Sequence, residues 1–259
     1  MKRLAFAAAL ALAATASHAS AAPHEEIMRV DVRPGVVEPV LLSMASAGQK
    51  PKRVLLLFPG GDGVMEITRS PGGARFRLAG NFLIRARARF VDADDAAVSV
   101  DMPSDEYCCA NDRFRLGERH AADVGKILDA LEARFPGAQF YLVGPSRAAI
   151  DAAEIVPRLV PQRIAGVVLT STLTLGGRAK PGLSHFDYSS LKVPVLFVHH
   201  KDDACRFTPY SEAERIAREY RFPLIAVTGS SGVHGPVCHA FSYHGYPGRE
   251  KEVAAAIVR

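Results

Sequence analysis

The sequence predicts an α/β fold: a mostly parallel central sheet flanked by helices, built as one domain. Short runs rich in Val, Leu, Ile and Phe alternate along the chain with longer stretches of helical periodicity, the order that builds a parallel sheet from crossover units. Several of those runs are continuous rather than alternating ("RVLLLF", "VPVLFV"), as expected of strands buried on both faces. The 259 residues are 48% hydrophobic, enough for one sizeable core, and no internal repeat or composition shift divides them beyond the first residues.

Those first residues, "MKRLAFAAALALAATASHASAAP", begin with Lys2 and Arg3, run apolar to Ala16 and reach small residues at Ala19-Ser20-Ala21. This is the form of a secretory signal peptide cleaved after Ala21, and the apolar run is too short to span a bilayer comfortably. The reading is therefore a leader over 1–21, a single exported domain over 22–259, and a location in the periplasm or outside the cell. Lys2 and Arg3 account for two of the +5 formal charges. The remaining basic residues are scattered, and the densest cluster, "LIRARARF", reads as a solvated helix face. No nucleic acid, anionic lipid or stable membrane insertion is expected.

The mature chain divides in order. Val37 to Ser43 reads as a strand, and Arg53 to Phe58 as a buried central strand that runs into a Pro-Gly-Gly-Asp-Gly loop. Asn81 to Phe90 reads as helix, and "AAVSVDMPS" as a strand entering a loop. Glu118 to Phe135 is a helix with Val124, Ile127, Leu128 and Leu131 on one face. "QFYLVG" is a strand and Arg147 to Ile155 a helix. "IAGVVLTS" and "VPVLFVHH" are buried strands, Ser211 to Tyr220 a helix, "PLIAVTG" a strand and Arg249 to Val258 a closing helix. The stretch between "VVLTS" and "VPVLF" is too short for a large lid domain.

Four loops carry the chemistry. In "YLVGPSRAA", Ser146 stands between a strand and a helix, with Gly144 and Ala148 two residues either side. That G-x-S-x-A pattern is a relaxed nucleophile elbow, in which small neighbours allow a turn tight enough to expose the serine; a serine at a helix start also serves as a plain N-cap. The loop holding Gly60, Gly61 and Asp62 follows an earlier strand, where backbone N–H groups can bind a tetrahedral oxyanion together with the N–H of Arg147. No G-K-S/T follows it, which excludes a phosphate cradle of the P-loop type. "VPVLFVHHKDDAC" offers Asp202 and Asp203 as the acid that orients a histidine, Asp203 being preferred for its place in the turn. A metal site on His199, His200, Asp202 and Asp203 is disfavoured, because side chains so close in sequence do not easily converge on one ion. "SSGVHGPVCHAFSYHGYPGRE" holds His234, His239 and His244. His244 is chosen as the base for its place before the terminal helix, with His239 as runner-up. The order Ser146, Asp203, His244 is the order this kind of sheet uses.

Cys108, Cys109, Cys205 and Cys238 are the only cysteines. After export they meet an oxidising compartment. Four cysteines allow three connectivities; adjacent cysteines bridge each other only with strain and the pairing of Cys108 and Cys109 stays open, while Cys205 and Cys238, in the loops that hold Asp203 and His244, are expected to pair. The bridge would staple the acid loop to the base loop.

Together these loops resemble the α/β-hydrolase superfamily, and more specifically secreted bacterial hydrolase-like proteins that combine a "PGGDG" loop, a G-x-S-R-G/A elbow, an "HH-x-x-D-x-C" acid loop and a late "C…HG[FY]" loop. The similarity runs from about Arg53 to the C-terminus; Ala148 in place of glycine and Pro145 before the serine depart from it. The resemblance implies serine ester or amide chemistry on a small-molecule acyl substrate, without cofactor or metal. Ser146, Asp203 and His244 would be the triad, and Gly61, Asp62 and Arg147 the oxyanion hole. A carboxylic ester of small or moderate size is the expected substrate. A non-catalytic binding protein on the same fold, or a peptidase or polyester depolymerase, is the alternative. Arg147 would either meet an anionic substrate group or stand in solvent.

Overall fold

Eight strands form one sheet in the order β1-β2-β6-β3-β7-β8-β9-β10. The strands are β1 (His24–Arg33), β2 (Val36–Met44), β3 (Arg53–Leu57), β6 (Asp95–Val100), β7 (Gln139–Pro145), β8 (Gly166–Thr170), β9 (Val195–His200) and β10 (Leu224–Val227). The first two pair antiparallel with each other, and β2 pairs antiparallel with β6. From β6 to β10 every pairing is parallel. A short hairpin, β4 (Thr68–Ser70) with β5 (Gly73–Arg75), stands apart from the sheet. The computed structural model describes residues 22–108, 112–159, 163–176 and 182–259; the predicted leader over 1–21 and Cys109 lie outside them.

The helices are α1 (Phe82–Ala86), α2 (Asp112–Arg115), α3 (Glu118–Arg134), α4 (Ala148–Ile155), α5 (Tyr210–Tyr220) and α6 (Glu250–Ile257). Successive strand residues face opposite sides of the sheet. Val54 and Leu56 of β3 therefore join α3, α4 and α5 in one core layer, while Leu55 and Leu57 join α1 and α6 in the other. The α3 stripe of Val124, Ile127, Leu128 and Leu131 is wholly buried, each such side chain contributing about 1.5–3 kcal/mol. Between β8 and β9 the described residues hold only two short 3-10 turns, at Leu183–His185 and Tyr188–Ser190, so the carboxyl edge of the sheet carries no lid domain there.

Two features depart from the sequence reading. The edge strand β1, "HEEIMRVDVR", was not anticipated: its acidic start and half-buried residues mask the alternation that makes it a partner for β2 across the Gly35 turn. The helix expected over 81–90 is only the five residues of α1, followed by a 3-10 turn over Arg87–Phe90. Of the "LIRARARF" arginines only Arg89 is exposed, as a solvated face requires; Arg85 and Arg87 are not. Arg85 pairs with Glu250 at 2.9 Å and Arg87 with Glu25 at 2.6 Å, all four side chains mostly buried. These pairs fix α1 against α6 and against β1.

Candidate active site

Ser146 follows the last residue of β7 and precedes α4, whose N-cap is Arg147. Its backbone is left-handed, with φ +56°, a conformation that costs a non-glycine residue roughly 1–3 kcal/mol. The cost is offset locally. The Ser146 N–H donates to the Thr170 carbonyl at 2.9 Å, and the Ser146 carbonyl accepts from Leu173 at 3.2 Å and Ala149 at 3.1 Å. The turn also requires glycine at 144, because a Cβ there would lie 2.1 Å from the Ala148 carbonyl oxygen. Ala148 is fully buried in the core layer that α4 shares with α3. The serine is thus held in a strained elbow at the carboxyl edge of the sheet, as its neighbours in sequence predict.

The glycine-rich loop after β3 packs against this elbow. A Cβ on Gly60 would sit 3.0 Å from the Pro145 carbonyl and 3.5 Å from Ser146 Cβ. Among the described residues, the N–H groups of Gly61, Asp62 and Arg147 find no acceptor. The Gly61 carbonyl accepts from Arg115 at 3.3 Å and from Arg147 at 3.4 Å. In a trans peptide the next N–H points the opposite way, so the Asp62 N–H is turned away from the two arginines. Arg115 itself is buried and paired with buried Asp151, beside His120 at 3.2 Å. The Arg147 side chain pairs with Asp112; it is neither a free anion receptor nor a solvated helix residue, because this partner and Gly61 occupy it.

The structure brings Asp203 and His244 together. Asp203 lies in the turn after β9, and His244 in a 3-10 turn over Tyr243–Gly245. His244 Nδ1 is 2.8 Å from Asp203 Oδ2, and the two side chains are 7% and 1% exposed. Asp203 Oδ1 accepts from the Cys205 N–H at 3.0 Å, and Oδ2 from the Thr208 hydroxyl at 2.8 Å. Burial acts to raise the Asp203 pKa, but the bond and charge of His244 and the bonds from Cys205 and Thr208 outweigh it and hold the carboxyl below its ordinary value. With Nδ1 facing an ionised carboxylate, the proton sits on Nδ1 and leaves Nε2 free to accept.

The other candidates are placed elsewhere. The Asp202 carboxylate is exposed and lies 3.8 Å from the His200 ring, to which the Asp202 N–H donates at 3.0 Å. His239 is exposed and its ring has no carboxylate partner. His234 contacts the Gly232 carbonyl at 2.7 Å and stacks on Phe241. His199 is buried on Thr172, and burial pushes it down to about 3, so it is neutral. Among the described residues no group of three or more His, Cys, Asp or Glu side chains could hold a metal ion, and no helix is long and apolar enough to cross a membrane.

Several supporting residues were not legible beforehand. The Tyr246 hydroxyl donates to the Val198 carbonyl at 2.7 Å and accepts from the Ser171 N–H at 3.0 Å, while Ser171 Oγ donates to the His244 carbonyl at 2.8 Å. These bonds tie the His244 turn to β8 and β9. Gly245 is equally constrained, since a Cβ there would lie 1.9 Å from the Ala240 carbonyl. The Cys205–Cys238 disulfide is present, joining the Asp203 loop to the His244 loop. Cys108 is also disulfide-bonded. Ser146 Oγ has no hydrogen-bond partner among the described residues, so the serine-to-histidine contact is not closed. A cavity of about 650 Å³ lined by Phe140, Ile164 and Pro194 opens at the amino ends of β7, β8 and β9 and contains none of these residues.

No family model matches the chain, and no curated protein matches it in sequence. Solved structures are similar in fold. Est1E from Butyrivibrio proteoclasticus aligns over 90% of this chain and 96% of its own, with TM-score 0.59 at 13% identity. XC6422 from Xanthomonas campestris, described as an α/β serine hydrolase without lid, aligns over 90% and 91%, with TM-score 0.58 at 13% identity. A cold-adapted esterase from an Arctic intertidal metagenomic library, bound to PEG, aligns over 90% and 92%, with TM-score 0.56 at 16% identity. The sheet order, the strained elbow after β7 and these alignments agree, and the chain has the α/β-hydrolase fold.

Proposed function

We propose that the protein is an exported serine hydrolase that cleaves a carboxylic ester of small or moderate size. The observation that carries this reading is the buried Asp203–His244 pair at the same sheet edge as a serine held in a left-handed elbow. Ser146 Oγ attacks the acyl carbon, forming the C–O bond while the carbonyl electron pair moves onto oxygen. His244 Nε2 takes the serine proton. The N–H groups of Arg147, Gly61 and Asp62 hold the oxyanion. When the intermediate collapses, the bond to the alcohol breaks and His244 returns the proton to it. Water then repeats the sequence on the acyl-enzyme, releasing the acid and free Ser146. Asp203 keeps the imidazole in the working tautomer throughout.

Export belongs to the proposal. It draws on the leader over residues 1–21 and on the disulfide, a bond that persists in oxidising compartments. A mature N-terminus at Ala22, read by mass spectrometry, tests it. A second reading, a non-catalytic binding protein on the same fold, draws on the open contact between Ser146 and His244. Labelling with a fluorophosphonate separates the two. The enzyme gives one adduct on Ser146, lost in Ser146→Ala and His244→Ala. A folded protein that takes no label is the binding protein. A panel of short acyl esters, amides and polyesters then separates an esterase from a peptidase or depolymerase.

A further inference from the structure

Resting on the reading of Ser146 as an acylating nucleophile, we propose that Asn81 is a further catalytic residue. Its side-chain Nδ2–H donates a hydrogen bond to the acyl oxygen as that atom becomes an oxyanion, alongside the backbone amides. Asn81 is the N-cap of α1, and its Oδ1 accepts from the Leu83 N–H at 3.2 Å. That bond fixes which end of the amide is which, because the NH₂ end would repel the Leu83 donor. The nitrogen is therefore turned outward. It meets no acceptor among the described residues and is not sealed from solvent.

What it faces is the serine. A Cβ on Gly60 would lie 3.4 Å from Asn81 Nδ2 and 3.5 Å from Ser146 Cβ. The amide and the nucleophile thus flank one small space, kept open only because residue 60 has no side chain. The amide is held in advance. The Asn81 N–H donates to the Leu78 carbonyl at 2.8 Å, the Asn81 carbonyl accepts from Arg85 at 2.9 Å, and the Arg85 guanidinium grips the neighbouring Gly80 carbonyl at 2.7 Å. Preorganised donors of this kind need no rearrangement as charge develops. Capping alone does not require asparagine, since aspartate and serine cap as well. Asparagine adds a donor where aspartate would set a negative charge beside the forming oxyanion. Asn81 exchanges no proton in the step: the serine proton goes to His244 and the carbonyl electron pair goes to the oxygen.

The test compares wild type with Asn81→Asp and Asn81→Ser, both of which keep the cap. Hydrolysis of p-nitrophenyl acetate, fluorophosphonate labelling and thermal melting are measured on each. Expected is a loss of about 10²-fold in kcat in both variants, with KM little changed and the melting temperature kept. A folded Asn81→Ser variant with wild-type kcat overturns the proposal. An Asn81→Ala variant, which lacks the cap, is measured beside them, and a loss confined to it overturns the proposal too, because Asn81 would then be a cap and nothing more. If Asn81→Asp fails to fold, Asn81→Ser decides. A wild type that takes no label overturns the nucleophile reading and this proposal with it, whereas a labelled wild type beside an unimpaired Asn81→Ser overturns this proposal alone.

Discussion

Thr208 Oγ1 lies 2.8 Å from Asp203 Oδ2, the same oxygen that His244 Nδ1 reaches at 2.8 Å. The hydroxyl is one of the groups that hold the Asp203 carboxyl below its ordinary range against the opposing effect of burial. A folded-state pKa that is depressed gives stability present above the unfolded aspartate value and lost as pH falls through the folded one. Thr208→Val removes the donor at nearly constant shape. The acid-unfolding midpoint should move to higher pH, and kcat should fall about tenfold, since a hydrogen bond to a charged group contributes about 1.5–3 kcal/mol. Thr208→Ser should retain both. Circular dichroism along an acid titration is the check, and an unmoved midpoint in Thr208→Val would show the hydroxyl to be dispensable.

Arg85 is the second place where the His244 loop is held. Its guanidinium donates to the Gly80, Ala240 and Gly245 carbonyls, pairs with Glu250, and lies 5.0 Å from the centre of the Phe241 ring. Gly245 is the residue after His244, so the arginine connects α1 directly to the His244 turn. Arg85→Met should slow fluorophosphonate labelling at least tenfold and lower the melting temperature. Arg85→Lys should not restore the rate, because one ammonium cannot reproduce a planar fork that serves three carbonyls and a carboxylate. Full recovery in the lysine variant would refute that account.

How much of this was legible depends on the range of the interaction. The elbow was legible because Gly144 and Ser146 are forced by a contact only four residues long, from Gly144 to Ala148. The buried strands were legible because both faces are covered and the apolar runs are therefore continuous. The choice of His244 over His239 followed from the terminal helix, and the pairing with Asp203 agrees with it. Asn81, Arg85, Thr208 and Tyr246 were not legible as site residues. Arg85 to Gly245 spans 160 positions, Ser171 to Tyr246 spans 75 and Thr208 to His244 spans 36, although Thr208 is only five positions from Asp203. Local patterning assigns such residues only to a helix start, a charged face or a loop. The buried run of Arg115, His120 and Asp151 beneath the Gly61 loop was missed for the same reason.

The Cys205–Cys238 bridge closes a loop of sequence separation 33. Its ends lie two residues after Asp203 and six before His244, so the cross-link limits how far acid and base loops separate in the unfolded chain. A loop of this length contributes roughly 3–4 kcal/mol, and in a domain of this size Cys238→Ser should lower the melting temperature by roughly 6–16 °C. Reduction of the wild type, which also opens the Cys108 bridge, should lower the melting temperature at least as far. A melting curve indifferent to reductant would mean that the loops are held by Arg85, Ser171 and Tyr246 alone.

Glu38 on β2 is fully buried, and neither carboxyl oxygen has a protein hydrogen-bond partner. Burial drives its pKa well above the ordinary glutamate value; Asp123, Asp101 and Asp151 push it further in the same direction, and Arg33 opposes them. The folded protein therefore keeps the Glu38 proton to higher pH than the unfolded chain does. For an acid with a raised folded pKa, stability falls as pH rises from the unfolded value toward the folded one, at about 1.4 kcal/mol per pH unit for one proton. Glu38→Met fills a similar volume and has nothing to ionise or satisfy. It should stabilise the fold, by about 1–3 kcal/mol from the orphaned polar group alone, and its advantage over wild type should widen from pH 5 to pH 8. Urea unfolding at the two pH values measures this. An advantage that stays constant across that interval would mean that Glu38 does not change its protonation between the folded and unfolded states there.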